Sequence, residues 1–162
     1  MQQDSCEGYL LIRRASIDDA EEIYRLYNSL SEEDLYMRFL YIKHPSVEEI
    51  KSYLSDPNCI VYVAETCNEI VAEGFLHRSG EIAIVVHPRF RRRGIAKKIF
   101  IRLYEEARKI GIERIFFYTS PLNIPVIKIA RRFGCRLRLI EDLYMGIVDI
   151  CPETDIIVKE MR

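Results

Sequence analysis

Tryptophan is missing from this 162-residue chain, and histidine occurs only three times, at His44, His77 and His87. The five cysteines (Cys6, Cys59, Cys67, Cys135 and Cys151) include no Cys-x-x-Cys pair. So few soft ligands do not make a zinc site, and an odd count without paired spacing does not make a disulfide framework. No metal is expected, and the thiols read as buried or incidental. No apolar run comes near the ~18 residues of a membrane span, and the pattern of a signal peptide is absent. These absences predict a soluble, cytoplasmic protein that stays out of the membrane. Two phosphate-binding signatures are missing as well. There is no Gly-Lys-Ser/Thr to end a P-loop and no Gly-x-Gly-x-x-Gly to hold a dinucleotide.

Hydrophobic residues make up 49% of the chain, enough to build a core without staples. The length suits one domain over residues 1–162, with residues 1–7 read as a disordered N-terminus. Isoleucine, arginine and glutamate are frequent, a bias of proteins from hot environments. The net charge of −1 conceals a division: residues 1–70 carry a balance of −8, residues 71–140 of +11, and residues 141–162 of −4. The basic middle predicts an anionic ligand. The acidic first part suits a basic partner, or is simply a solvated face.

The pattern along the chain predicts a strand over Tyr9–Arg14 and a capped helix from Ser16 and Asp19. A short helix follows Ser31, and a third starts at Ser46 with Glu49 as its capping-box partner. Strands over Cys59–Glu65 and Ile70–His77 form a hairpin around Cys67 and Asn68. A third strand, Glu81–Val86, leads to a long helix from about Arg93 to Ile110. Its stripe is Ile95, Ile99, Leu103 and Ala107, and Gly111 ends it. A strand over Arg114–Thr119 leads through Pro121 and Asn123 to a helix closed by Phe133 and Gly134. Further strands are expected over Arg136–Ile140, Tyr144–Cys151 and Ile156–Met161. This order predicts a three-layer α+β fold: a mostly antiparallel, twisted sheet with one parallel crossover and about four flanking helices.

The segment Val86-His87-Pro88-Arg89-Phe90-Arg91-Arg92-Arg93-Gly94-Ile95-Ala96 carries the chemistry. A strand ends at a proline, three arginines follow, and a helix opens on Gly94. A helix start offers N–H groups without partners, and its dipole favours an anion. Arginines add forked, charged hydrogen bonds. Gly94 and Ala96 let an anion approach the backbone. The stretch is a cradle for a pyrophosphate. The arginine run is short and has only Phe90 beside it, which argues against direct nucleic-acid binding.

These residues resemble the GNAT acyltransferases, whose acetyl-CoA motif is Arg/Gln-x-x-Gly-x-Gly/Ala after a strand. Here it stands as Arg91-Arg92-Arg93-Gly94-Ile95-Ala96. A second family element is matched by Asn123, which opens a helix closed by Phe133-Gly134-Cys135. The segment Leu30-Ser31-x-x-Asp34-Leu35-Tyr36-x-Arg38-Phe39 is similar to that of Pat-type protein lysine acetyltransferases, including small archaeal forms. The resemblance implies acetyl-CoA as co-substrate. Pantetheine would lie along the strand at Ile84, Val85 and Val86, using backbone groups of Ile84 and Val86. Pyrophosphate would sit on the N–H groups of Arg91, Arg92, Arg93, Gly94, Ile95 and Ala96. Lys97 and Lys98 either reach phosphates or are plain exposed lysines. Asn123 either touches the pantetheine arm or simply caps its helix.

A lysine amine, with a pKa near ~10.4, arrives protonated and needs a general base. Glu81 opens the cofactor strand, where several family members place a catalytic glutamate. His77, four residues earlier, either orients Glu81, shuttles the proton, or plays a structural part. Glu73 alternates onto the same face as His77 and is the third candidate. Many family members have a tyrosine seven residues after the Asn to protonate the leaving thiolate; Ala130 stands here, so Tyr118, water or no donor serves. The expected function is lysine Nε-acetylation of a protein with a basic surface, a chromatin protein or a metabolic enzyme, by a monomer. A small-amine, polyamine or N-terminal acetyltransferase is the same-class alternative, and a non-catalytic acyl-CoA sensor the alternative of another class.

Overall fold

The computed structural model describes residues 9–152. The expectations for residues 1–7 and for a strand over 156–161 lie outside them. Strand β1 spans Leu11–Arg14. After a 3-10 turn come helices α1 (Ala20–Asn28), α2 (Glu32–Phe39) and α3 (Val47–Ser55). Their starts are set locally. The Asp19 carboxylate accepts from the Ser16 N–H at 2.8 Å, and Ser31 and Asp34 form a reciprocal capping box. At α3 half of the expected box forms. Ser46 Oγ accepts from the Glu49 N–H at 3.1 Å, while the Glu49 carboxylate pairs with Lys43 at 2.8 Å.

Strands β2 (Cys59–Thr66), β3 (Glu69–His77) and β4 (Ile82–Val86) continue the sheet. Then come α4 (Ile95–Lys109), β5 (Arg114–Thr119), α5 (Ile124–Arg132), β6 (Arg136–Ile140) and β7 (Leu143–Asp149). The described residues thus form five α-helices against a sheet in two parts. One part has the order β1-β2-β3-β4 and the other β5-β7-β6, each antiparallel throughout.

The expected parallel crossover is reduced to one bridge, Glu81 with Phe116. There the Phe116 N–H donates to the Gly80 carbonyl at 2.9 Å. Gly80 sits at φ +101°, and a Cβ on it would strike the Arg114 carbonyl, so this junction requires glycine. Beyond the bridge β4 has no neighbour on that edge among the described residues.

Alternation along the strands builds two cores. Ile82 joins Ile95, Ile99, Leu103, Tyr104 and Ile115 under α4. Val63, Ile70 and Val85 join Ile23, Leu26, Tyr27, Leu35 and Ile50 under α1–α3. The predicted stripe of α4 is buried throughout, each large aliphatic contributing about 1.5–3 kcal/mol by leaving water. Gly74 lets α4 lie close on β3, since a Cβ there would collide with Ile99.

Candidate active site

Hydrogen-bond phase decides what β4 offers to its open edge. The His77 N–H donates to the Glu81 carbonyl at 2.8 Å, and the His87 N–H to the Val71 carbonyl at 2.7 Å. In an antiparallel ladder this turns the backbone of residues 81, 83, 85 and 87 toward β3. The backbone groups of Ile84 and Val86 therefore face the gap between β4 and β5. Val85 does not reach that gap: its backbone pairs with Glu73 and its side chain is buried under α1–α3.

After β4, a 3-10 turn at Pro88–Phe90 is capped by His87, whose Nδ1 accepts from the Arg89 N–H at 3.1 Å. Burial foremost, with Arg89 beside it, holds the His87 imidazole below its ordinary pKa. Then the backbone alternates in hand: φ is −72° at Arg91, +63° at Arg92 and +75° at Gly94. Such alternation gathers successive N–H groups into a concavity that suits an anion. The helix bond from the Lys98 N–H to the Gly94 carbonyl, 3.2 Å, starts α4. It leaves the N–H groups of Ile95, Ala96 and Lys97 without intrahelical partners. No side chain caps this end and no acid lies in its first turn. A Cβ built on Gly94 meets nothing within 4 Å, so the space beside the cradle is open. The arrangement fits a pyrophosphate.

Of the arginines, Arg93 lies over the Phe90 ring at 5.0 Å and Arg92 is exposed. Arg91 reaches sideways: Nε donates to the Val86 carbonyl at 3.2 Å, and the guanidinium pairs with Asp34 of α2 at 2.8 Å. Burial pushes the Asp34 carboxyl up, but the Ser31 N–H and Arg91 outweigh it and hold the group below its ordinary range. Lys97 is half-buried and Lys98 exposed. Asn123 makes no side-chain cap for α5; its Nδ2 donates instead to the Thr119 hydroxyl at 3.1 Å. That leaves its carbonyl oxygen turned from Thr119. Thr119 is buried, and sequence reasoning missed it because the pair forms outside any capping pattern.

The α1–α3 face of the sheet gathers the predicted base candidates. Residues paired across strands share a face, so Glu73, Phe75 and His77 of β3 stand with Glu81, Ala83 and Val85. The bridge carries this face on to Phe116 and Tyr118, whose rings meet edge-on at 5.9 Å. Glu81 is exposed at the point where the two sheet parts separate. His77 Nδ1 accepts from the Ser79 N–H at 3.0 Å, with the Ser79 hydroxyl at 2.9 Å. In the neutral ring this places the proton on Nε2, which then acts as a donor. Glu73 is 1% exposed, and its two oxygens accept from the hydroxyls of Tyr27 and Tyr53, each at 2.6 Å. Burial drives both phenols well above their ordinary pKa. The partners lie 46 and 20 residues from Glu73. Helical spacing marks each tyrosine as core but carries no sign of the carboxylate between them.

An open strand edge and an N–H cradle at a glycine helix start, with Asn123 at the start of α5, are groups that an acyl-CoA could use. The model of the acetyltransferase (GNAT) family matches residues 20–135, and the chain belongs to that family. Among solved structures, the GNAT domain of S. lividans PAT is 22% identical, with a TM-score of 0.81 over 88% of this chain and 91% of that one. Spermidine N-acetyltransferase from Vibrio cholerae, in complex with CoA and spermine, is 15% identical, with a TM-score of 0.72 over 87% and 95%. The PaiA N-acetyltransferase from Thermoplasma acidophilum, in complex with coenzyme A, is 15% identical, also with a TM-score of 0.72, over 88% and 99%. The chain is thus similar in fold to these acetyltransferases, and as a family member it is an acetyltransferase that uses acetyl-CoA. No helix among the described residues is long and apolar enough to cross a membrane.

Proposed function

We propose that this chain transfers the acetyl group of acetyl-CoA to a lysine side-chain amine on a protein, with Glu81 as general base. The observation that carries the reading is the position of Glu81. It is exposed where β4 and β5 part, on the face flanked by α1–α3, whose Glu32, Glu33 and Glu48 are exposed to solvent. These acids favour approach of a basic, lysine-bearing surface. The fold similarity to the S. lividans PAT domain supports the same reading.

In this reading the backbone groups of Ile84 and Val86 hold the pantetheine arm as a partner strand would, the arm displacing Arg91 from the Val86 carbonyl. The N–H groups from Arg91 to Ala96 hold the pyrophosphate, and the Asn123 carbonyl faces the arm. Lys97 sits one turn into α4, within reach of a phosphate. The thioester supplies an activated acetyl carbon. Glu81 takes a proton from the lysine ammonium. The freed nitrogen bonds to the acetyl carbon, the C–S bond breaks, and the second proton of the nitrogen passes through water or Tyr118 to the leaving thiolate. A thiol of pKa about 8.5 leaves adequately without a tyrosine at position 130. His77, locked by Ser79, donates from Nε2 and orients Glu81. Glu73, closed off by two phenols, positions the face from beneath. The chain works as a single catalytic unit over residues 1–162, as a cytoplasmic monomer.

The test is transfer of labelled acetyl groups to folded proteins, with the modified residues located by mass spectrometry. Label on lysine side chains is the expected result. Label on free spermidine alone would replace the reading with a small-amine transferase. Tight CoA binding without transfer to any amine would replace it with a sensor.

A further inference from the structure

One strand over from Glu81, on the same face, a cavity of about 410 Å3 opens between α2, α3 and β3. Arg38, Phe39, Lys43, Tyr53, Asp56 and Phe75 line it. Lys43 is neutralised by Glu49 at 2.8 Å, and the Asp56 carboxylate accepts from the Asn58 N–H at 2.9 Å. Arg38 is different. Its Nε is buried without a hydrogen-bond partner, and the guanidinium has no ion pair among the described residues. Its plane is held by aromatic rings: Cζ stands 4.6 Å from the Phe39 centroid and 5.9 Å from that of Phe75. Glu73, held behind Tyr27 and Tyr53, makes a cation tolerable here without itself pairing with the guanidinium. The guanidinium contacts the Tyr27 hydroxyl, yet its Nε donor stays free, and a guanidinium at a cavity wall with Nε to spare matches a carboxylate in two parallel hydrogen bonds.

We propose that this cavity is a carboxylate-binding subsite, filled by an acidic side chain of the acceptor protein a few residues from the modified lysine. The inference rests on the lysine reading above. Spacing supports it. Phe75 pairs with Ala83, and His77, which bonds to Glu81, lies two residues along β3. At ~3.3 Å per residue and ~4.8 Å between strands, Phe75 and Glu81 lie roughly 8 Å apart. An extended acceptor covers that distance in about two to four residues. The subsite narrows the acceptor from any basic surface to a lysine with a carboxylate near it.

The experiment compares lysine peptides that differ only by Glu or Gln two to four residues from the lysine. The best Glu peptide should exceed its Gln twin in kcat/KM by about tenfold, the effect of one charge-assisted pair. The Arg38→Lys variant keeps the charge, loses the fork and should cut that preference below about threefold. If that variant does not fold, the peptide comparison on the unaltered enzyme still decides. A second readout needs no turnover: the Glu peptide, and not the Gln peptide, should move the Arg38 Nε–H NMR resonance. Equal rates on both peptides overturn the subsite. If no peptide is acetylated while the Glu peptide still moves the resonance, the lysine reading fails and the carboxylate site stands. If free glutarate moves it as far as the Glu peptide at equal concentration, the site takes a small free carboxylate and the acceptor assignment falls.

Discussion

Strand β4 shows two surfaces of opposite character. Its edge toward β5 is backbone: N–H and C=O groups of Ile84 and Val86, the last carbonyl held by Arg91, continued by the N–H cradle from Arg91 to Ala96. Its α1–α3 face is side chain: Glu81 beside His77, with Glu73, Tyr27, Tyr53 and Arg38 behind. Backbone recognition tolerates many sequences so long as the hand of the chain is right. Side-chain recognition changes with each residue. One fold can therefore keep a common donor while its members differ in acceptor.

Glu81→Gln is the strongest challenge to this division. It should lower kcat by about 10² to 10⁴ while CoA affinity, measured by calorimetry, stays within about twofold. An unchanged rate would remove Glu81 from the chemistry. Next is Glu73→Leu, which strips two buried phenols of their acceptor and leaves Arg38 without a compensating charge. Its cost should be about 3–5 kcal/mol of unfolding free energy in urea titration. A stable but inactive Glu73→Gln protein would instead mark Glu73 as a base rather than a positioning group.

On the backbone side, Gly94→Val should weaken CoA binding about tenfold. It forces a β-branched residue to φ +75° and fills the open space beside the cradle, and circular dichroism should show the fold intact. The smallest effect belongs to Asp34→Asn, which breaks an ion pair that links the two sides, Asp34 with Arg91. Stability should change by less than about 1 kcal/mol, and CoA should bind two- to threefold more tightly as Arg91 is released. The sign with pH follows from the lowered Asp34 carboxyl. Its contribution is present above the ordinary carboxylate range and is lost as pH falls through the folded value. The variant's thermal midpoint should therefore approach that of the unaltered protein in acid. A gap that widens in acid would contradict this assignment.

The same division explains what was legible in the sequence. The order of elements was readable because each has a local cause: capping serines, the stripe Ile95–Ala107, the positive φ of Gly111. The cradle was readable because its residues are consecutive. The parting of the sheet was not, because periodicity marks strands without saying which edges meet. The Tyr27–Glu73–Tyr53 cluster was hidden for a related reason: tertiary contacts brought together residues that each look ordinary in place. Asn123 was read as pantetheine ligand or helix cap, and the bond to Thr119 sets the capping role aside.

The unpaired edge of β4 also bears on solubility. Exposed strand edges are templates for joining another chain, and proteins usually blunt them with charge, proline or a covering element. Here no strand covers that edge among the described residues, and in the proposed reading the ligand that completes it is the reaction's own donor. Because the folded chain alone offers that edge, each loading deepens the folded well, by about 2.7 kcal/mol at a hundred times the dissociation constant. The thermal endurance of this protein thus becomes a gauge of how much acetyl-CoA surrounds it.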